Sequence, residues 1–144
     1  PEKAAANQDF VFACVGNDDD LRQICTGING AFHGMKPGSV FIDHTTASAK
    51  IARELFDQAK DAANLAKHGV SLTEAAGFEW GTAVVWPDTR QDYGEARMVA
   101  LGYIGLRIMA LVFVDRPPEQ PTERRIISLR KANSREVKRY AIND

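Results

Sequence analysis

Cysteine is scarce in this chain, with only Cys14 and Cys25 among 144 residues. Cys14 lies in an apolar run, which suits a buried thiol better than a disulfide. Histidine is scarcer than most metal sites require: there are three, and nowhere do Cys and His recur at the spacing of a zinc site. No bound metal or cofactor is therefore expected. No apolar run has membrane-spanning length, which excludes a helical membrane anchor within this sequence. No repeat or low-complexity segment is present. The G-x-G-x-x-G turn that brings backbone amides and a helix N-terminus onto a pyrophosphate is also missing. No signal-peptide pattern opens the sequence, which begins at Pro1. The expectation is a processing boundary at that point and a reducing cytoplasm as the location.

What is present is unevenly distributed. The net charge of −1 hides an asymmetry. Residues 1–55 carry 5 Lys/Arg and 7 Asp/Glu, net −2; residues 56–144 carry 13 and 12, net +1; residues 123–144 alone carry 7 and 3, net +4. A basic tail of that kind suits a polyanionic partner, or a solvated helix face.

The hydrophobic pattern divides the chain in the same way. Asp9–Gly16 and Ser39–Asp43 are apolar runs of strand length, separated by a helix predicted over about Asp19–Thr26, with Gly27 and Gly30 breaking it. Strand, helix, strand suggests a βαβ unit with parallel strands. Two such strands have little sheet to pair with, so they should find partners in the rest of the chain or in a second copy. From Ala49 to His68 there is neither Gly nor Pro, and Ile51, Ala52, Leu55, Phe56, Ala59, Ala62, Ala63 and Ala66 follow helical spacing. Thr45, Thr46 and Ser48 are candidate caps for this helix, and Gly69 suits its C-terminal stop. Ser71 to Glu74 has the form of a capping box opening a short helix. Strands are then predicted at Thr82–Trp86, Arg97–Tyr103, Leu106–Asp115 (central) and Arg124–Leu129. A helix capped by Ser134 follows. Short connections between consecutive strands favour an antiparallel sheet.

Residues 9–55 resemble the β-hydroxyacid dehydrogenase family, through DFVFACVGNDDDLRQIC at Asp9–Cys25 and GMKPGSVFIDHTTASAKIAREL at Gly34–Leu55. The resemblance implies later strands and helices of a Rossmann domain, with Val15, Gly16, Asn17 and Thr46 near a dinucleotide. The phosphate turn, its acidic ribose partner and the catalytic lysine context are absent, so Gly16, Asn17 and Thr46 are read as vestigial and this part as scaffold or remnant.

Residues 56–140 resemble the BrnT family of type II toxin–antitoxin ribonucleases, similar to RelE in fold. The motifs are FDQAKDAANLAKHGVSLTEA at Phe56–Ala75, GEARMVALGYIGLRIMALVFVDR at Gly94–Arg116 and RRIISLRKANSREVKRY at Arg124–Tyr140. This implies an antiparallel sheet flanked by helices, RNA cleavage, and a cognate antitoxin. The family's short strand before the KHGV helix is replaced here by a helical pattern, which puts one sheet edge in question. The expected architecture is therefore α+β. A partial Rossmann-like βαβα fragment at 1–55 is joined through a long helix to a RelE-like domain at 56–144.

Cleaving RNA without a metal needs a base for the 2′-hydroxyl, cations for the phosphorane and an acid for the leaving 5′-oxygen. The planar guanidinium fork suits the second task. The strand-borne Arg97, Arg107, Arg125 and Arg130 are the candidates. Glu95, two residues from Arg97 and on its face in a strand, is a base or a support for Arg97. His68 is an acid–base catalyst or a helix-end cap. Arg124 and Arg125 are adjacent and point to opposite faces. Arg124, Lys131, Arg135, Lys138 and Arg139 suit contacts to RNA phosphates or to the antitoxin. Tyr140 stacks on a base or packs at its helix end. Trp80 and Trp86 are expected in the core.

Three functions follow from these observations. The first is a metal-independent endoribonuclease toxin bearing a fused dehydrogenase-like fragment. The second is an inactive module that still binds the antitoxin. The third, resting on residues 9–55 alone, is a nicotinamide-dependent oxidoreductase similar to 3-hydroxyisobutyrate dehydrogenase. Unpaired strands near the front favour a homo-oligomer, and no membrane partner is expected.

Overall fold

A computed structural model describes residues 1–143 of the chain. They form two compact units, Pro1–Ala63 and a second that begins at Asn64.

The first unit contains α1 (Glu2–Ala5), β1 (Phe10–Ala13), α2 (Asp18–Thr26), α3 (Ala31–Gly34), β2 (Val40–Asp43) and most of α4 (Ala49–His68). β1 and β2 pair in parallel, Phe10 opposite Val40 and Ala13 opposite Asp43. Among the described residues they are the whole of their sheet, so of the two expected sources of a partner the rest of the chain supplies none. Neither strand is buried as its composition suggested: Phe12 is 67% exposed and Phe10 60%. The core lies instead under the helices, where Leu21 and Cys25 of α2 meet Ile51 and Leu55 of α4. The Cys14 thiol also departs from the expectation. Cys14 is exposed and Cys25 is buried, because Cys14 follows the strand on the outward side shared by Phe10 and Phe12.

α2 begins where its cap dictates. The Asn17 side chain accepts from the amides of Asp19 and Asp20, both at 2.9 Å. α4 is capped by Ser48, whose hydroxyl accepts from Ile51 N at 3.3 Å. It stops at Gly69, whose φ of +68° needs a residue without Cβ strain. The apolar stripe predicted along α4 is buried only at Ile51 and Leu55 in the first unit, and Phe56 is 51% exposed. Beyond it come alanines, which offer little area to bury.

The second unit is mixed α/β with an antiparallel four-stranded sheet, which agrees with the α+β expectation. Its order is β3 (Val84–Pro87), β4 (Met98–Ile104), β5 (Arg107–Arg116), β6 (Glu123–Lys131). β5 is central and pairs with both neighbours. Two layers cover the sheet. On one face two 3₁₀ turns, Leu72–Gly77 and Trp80–Thr82, deliver Val70, Ala75 and Phe78 onto Ala100, Met109, Leu111, Phe113 and Leu129. Gly102 makes room, because a Cβ there would lie 2.7 Å from the Phe78 ring. The predicted capping box is present, although it opens a 3₁₀ turn and not an α-helix. On the other face α5 (Ser134–Asn143) packs Tyr140 against Leu101 and Ala110. The cap of α5 is Asn133 and not Ser134: its side chain accepts from Arg135 N and Glu136 N at 3.0 Å each.

The outer strand β6 is held at its edge by one side chain. Asn64, 7% exposed, donates to Val70 O at 2.8 Å and Leu129 O at 2.7 Å. It also accepts from Leu129 N and from the Ser128 hydroxyl, both at 3.2 Å. A side-chain amide thus stands in for a neighbouring strand.

Candidate functional site

Sheet register decides which arginines can act together. Arg130 lies opposite Ala110 and Arg125 opposite Val114. Residues directly opposite in an antiparallel pair share a face, and side chains alternate along a strand, so both project on the face that carries α5. Arg97 precedes β4 by one residue, and its carbonyl still accepts from Asp88 N at 2.8 Å. Alternation puts it on the same face as Val99. Arg124, opposite Asp115, lies on the other face. There it is fixed by two bonds to Asp115 of 2.6 and 2.7 Å and stacks over Trp80 at 4.1 Å and Phe113 at 4.3 Å.

Beside α5 that first face forms a cleft of about 330 Å³. Val99, Ala110 and Val112 line it together with Trp86, and its charged residues are Asp88, Arg90, Arg130, Glu136 and Arg139. Each cation is oriented by a neighbour. Arg130 makes two bonds to Glu136, 2.8 and 2.7 Å, and Arg90 makes two to Asp88, 2.7 and 2.6 Å. Arg139 lies over the Trp86 ring at 3.8 Å. Hydrogen bonds from these arginines hold the Asp88 and Glu136 carboxyls below the usual carboxylate range. Both are anions at neutral pH and neither is a proton donor.

A second cluster lies two sheet rows away, about 13 Å along the strand. Glu95 receives Arg97 at 2.8 and 2.9 Å on one oxygen and Arg116 at 3.0 Å on the other. Arg97 also lies over the Tyr93 ring at 4.2 Å. The Arg97 bond, then the Arg116 bond, pull the Glu95 carboxyl below its ordinary value against desolvation. Of the two roles open to Glu95, support for arginines fits this geometry and a base does not.

His68, at the end of α4, is half-buried and outside the cleft lining. Burial first, then the charges of Lys67 and Arg130, push its pKa below 6.5, so the imidazole is neutral at pH 7.

The remaining predicted residues are not drawn together. Arg107 lies at the far end of the sheet, opposite Ile104. It borders a separate, open hollow of about 390 Å³ with Lys131 and Val137. That removes Arg107 from the cluster, since seven residues of β4 separate it from Arg97, roughly 20 Å. Arg135 and Lys138 are exposed on α5. Tyr140 does not stack on a base: it is 2% exposed, its hydroxyl donates to Thr82 O at 3.0 Å, and it meets Tyr103 edge-on. Asp88, Arg90, Arg116 and Glu136 escaped the sequence reading. The signal for the first two was available, because Asp88-x-Arg90 repeats the acid-x-Arg spacing of Glu95-x-Arg97.

In the first unit, the N-terminus of α2 is already filled. Asn17 spends its side chain on the cap, and Asp18, Asp19 and Asp20 occupy the first turn. Three carboxylates there oppose a pyrophosphate. Gly16 packs toward Asp20 and Thr46 is exposed. Among the described residues, no three His, Cys, Asp or Glu side chains assemble as a metal-binding group, and no helix is long and apolar enough to cross a membrane.

Comparison with known proteins divides the chain as its chemistry does. The family model for the ribonuclease toxin BrnT of type II toxin–antitoxin systems matches residues 56–136, more than half of the chain. The N-terminal part is similar to oxidoreductases. An uncharacterized oxidoreductase of Shewanella frigidimarina is 60% identical over 55 residues, 38% of this chain and 19% of that protein. A probable 3-hydroxyisobutyrate dehydrogenase-like mitochondrial protein of Arabidopsis thaliana is 37% identical over 60 residues, 42% of this chain and 20% of that protein. The chain thus spans about one fifth of the length of these relatives.

Proposed function

Because this chain belongs to the BrnT family of type II toxin–antitoxin ribonuclease toxins, we propose that its second unit is a metal-independent endoribonuclease restrained by a cognate antitoxin. One observation carries the reading: Arg97, just before β4, and Arg125 and Arg130 of β6 project onto one sheet face, beside a cleft that also holds Arg90 and Arg139. Arg130 stabilises the phosphorane, and the Glu95-held Arg97 and Arg116 hold a neighbouring phosphate of the same strand together with Arg125 of the same face. His68, neutral and within the field of Arg130, takes the 2′-hydroxyl proton, and solvent water supplies the proton to the leaving 5′-oxygen as its bond to phosphorus breaks. Glu95 is a positioning residue. Arg135 and Lys138 contact phosphates or the antitoxin, as do Arg124 and Lys131 at the sheet's other surfaces.

The first unit is a Rossmann-type fragment serving as scaffold. The filled N-terminus of α2 argues against dinucleotide binding there, so the oxidoreductase reading has no site to work with. Antitoxin binding without cleavage is the second reading. It is favoured by the helix standing, as expected, where the family usually has a short strand, which leaves the β6 edge to Asn64. The exposed faces of β1 and β2 suit self-association.

The test is incubation of the whole chain with total RNA, with and without chelator, beside Arg97→Ala, Arg125→Ala and Arg130→Ala. Chelator-insensitive cleavage is expected. It should fall about 10²–10³-fold in Arg130→Ala and less in the other two. Cleavage indifferent to all three substitutions would discard the proposal, and antitoxin binding by a wild-type chain that leaves RNA intact would establish the second reading.

A further inference from the structure

The Asp88–Arg90 pair differs from the other ion pairs of the second unit in how unequally its partners are exposed. The Asp88 side chain is 1% exposed and that of Arg90 is 66% exposed. A carboxylate buried to that degree loses most of its hydration, a loss that only strong hydrogen bonds offset. Here two bonds from Arg90 and the Arg90 amide at 3.3 Å provide them. The guanidinium is therefore clamped from behind in one orientation and still open to solvent at the rim of the cleft. Arg130 lies on the same cleft, similarly clamped by Glu136. An ordinary surface pair would leave both partners mobile and add little. A desolvated anchor beneath an exposed fork instead pre-organises a planar donor for a phosphate.

We infer that Arg90 binds a phosphate of the RNA opposite Arg130, and that Asp88 is the positioning residue that orients it. The inference rests on the ribonuclease reading for the identity of the ligand, but its geometry stands on the cleft alone. It also makes a counter-intuitive prediction. Asp88→Asn removes a negative charge from an RNA-binding cleft, so simple electrostatics predicts tighter binding and faster reaction. Positioning predicts binding that is no weaker, with a slower chemical step.

The experiment measures binding and cleavage separately. Binding uses a fully 2′-O-methylated RNA oligonucleotide, which lacks the attacking hydroxyl, titrated across a salt series by fluorescence anisotropy. Cleavage uses the unmodified oligonucleotide. Arg90→Ala should lower the slope of log affinity against log salt by about 0.7, one phosphate contact on a single strand, and slow cleavage at least tenfold. Arg90→Lys should keep the slope and lose the rate, because the charge survives without the fork. Asp88→Asn should bind no more weakly than wild type and cleave about tenfold more slowly. If Asp88→Asn proves unfolded by circular dichroism, the two Arg90 variants, which keep Asp88, still decide the site. An unchanged slope in Arg90→Ala, or wild-type cleavage in folded Asp88→Asn, would overturn the inference. A wild-type chain that binds with an Arg90-dependent slope yet cleaves nothing would leave the phosphate site standing and remove the ribonuclease reading.

Discussion

Two apolar strand segments of similar composition end in opposite environments. Phe10-Val11-Phe12-Ala13 forms β1, and Phe12 is 67% exposed; Leu111-Val112-Phe113-Val114 lies in β5, and Phe113 is 2% exposed. Both are strands, as their β-branched and aromatic residues require. The difference is that β5 has a strand on each side and a layer on each face, whereas β1 has one parallel neighbour. Propensity makes a strand, but burial needs cover, and a run of hydrophobic residues cannot specify its own cover.

The comparison can be broken most directly in the two cores. Leu111→Ala, at a fully buried site, should cost about 2–5 kcal/mol, and Phe12→Ala under about 1 kcal/mol. Denaturant unfolding followed by tryptophan emission reads the second unit, since Trp80 and Trp86 both lie there; far-UV circular dichroism reads both units. An equal loss from the two substitutions would mean that β1 is covered after all.

Next in size is Asn64→Ala. Truncation strands the Val70 and Leu129 backbone groups beneath the β6 edge, at a cost of about 2–3 kcal/mol. Tryptophan emission should report the whole loss. In the first unit Asn17→Ala should cost about 1 kcal/mol through the lost cap of α2. That loss should be visible by circular dichroism and leave both the tryptophan transition and RNA cleavage unmoved. A change in cleavage would contradict the assignment of reactivity to the second unit.

The smallest effect concerns pH. The His68 pKa is lower in the folded chain than its ordinary 6.5, so the unfolded chain binds the proton first. Stability is complete above about pH 6.5 and declines as pH falls toward the folded value. The ion-paired carboxylates Asp88, Glu95, Asp115 and Glu136, all held below their ordinary 3.8 to 4.5, act in the same direction only below that range. His68→Gln should flatten the stability profile between pH 7 and 5 and leave the steeper acid limb intact. If the slope near pH 6 persists in this variant, another group is its source.

Much of the local structure was legible from residue types alone. The span of α4, its stop at Gly69, the Ser71–Glu74 box and the antiparallel order of the last four strands each follow from interactions within a few residues or across a short turn. Misreadings arose where two groups compete for one place, whether neighbours or distant in sequence. Ser134 was displaced as cap by its neighbour Asn133, whose longer side chain reaches two amides. Of the two roles open to Tyr140 it took packing, because Leu101 of β4 and Ala110 of β5 lie beneath α5. Cys14 is exposed, against expectation, because the first unit's core formed under its helices, where Cys25 lies, and not on its sheet.

What the chain's letters determined unaided was therefore periodicity, capping and the concentration of arginine in the basic second half, since these depend on spacing and composition. Which arginines share a face was settled only in three dimensions. Strand register sends Arg97, Arg125 and Arg130 to one side and Arg124 to the other, and a folded turn sinks Asp88 beneath Arg90. Register is a relation between strands far apart in sequence, and a carboxylate becomes an anchor only once packing has taken the water from around it.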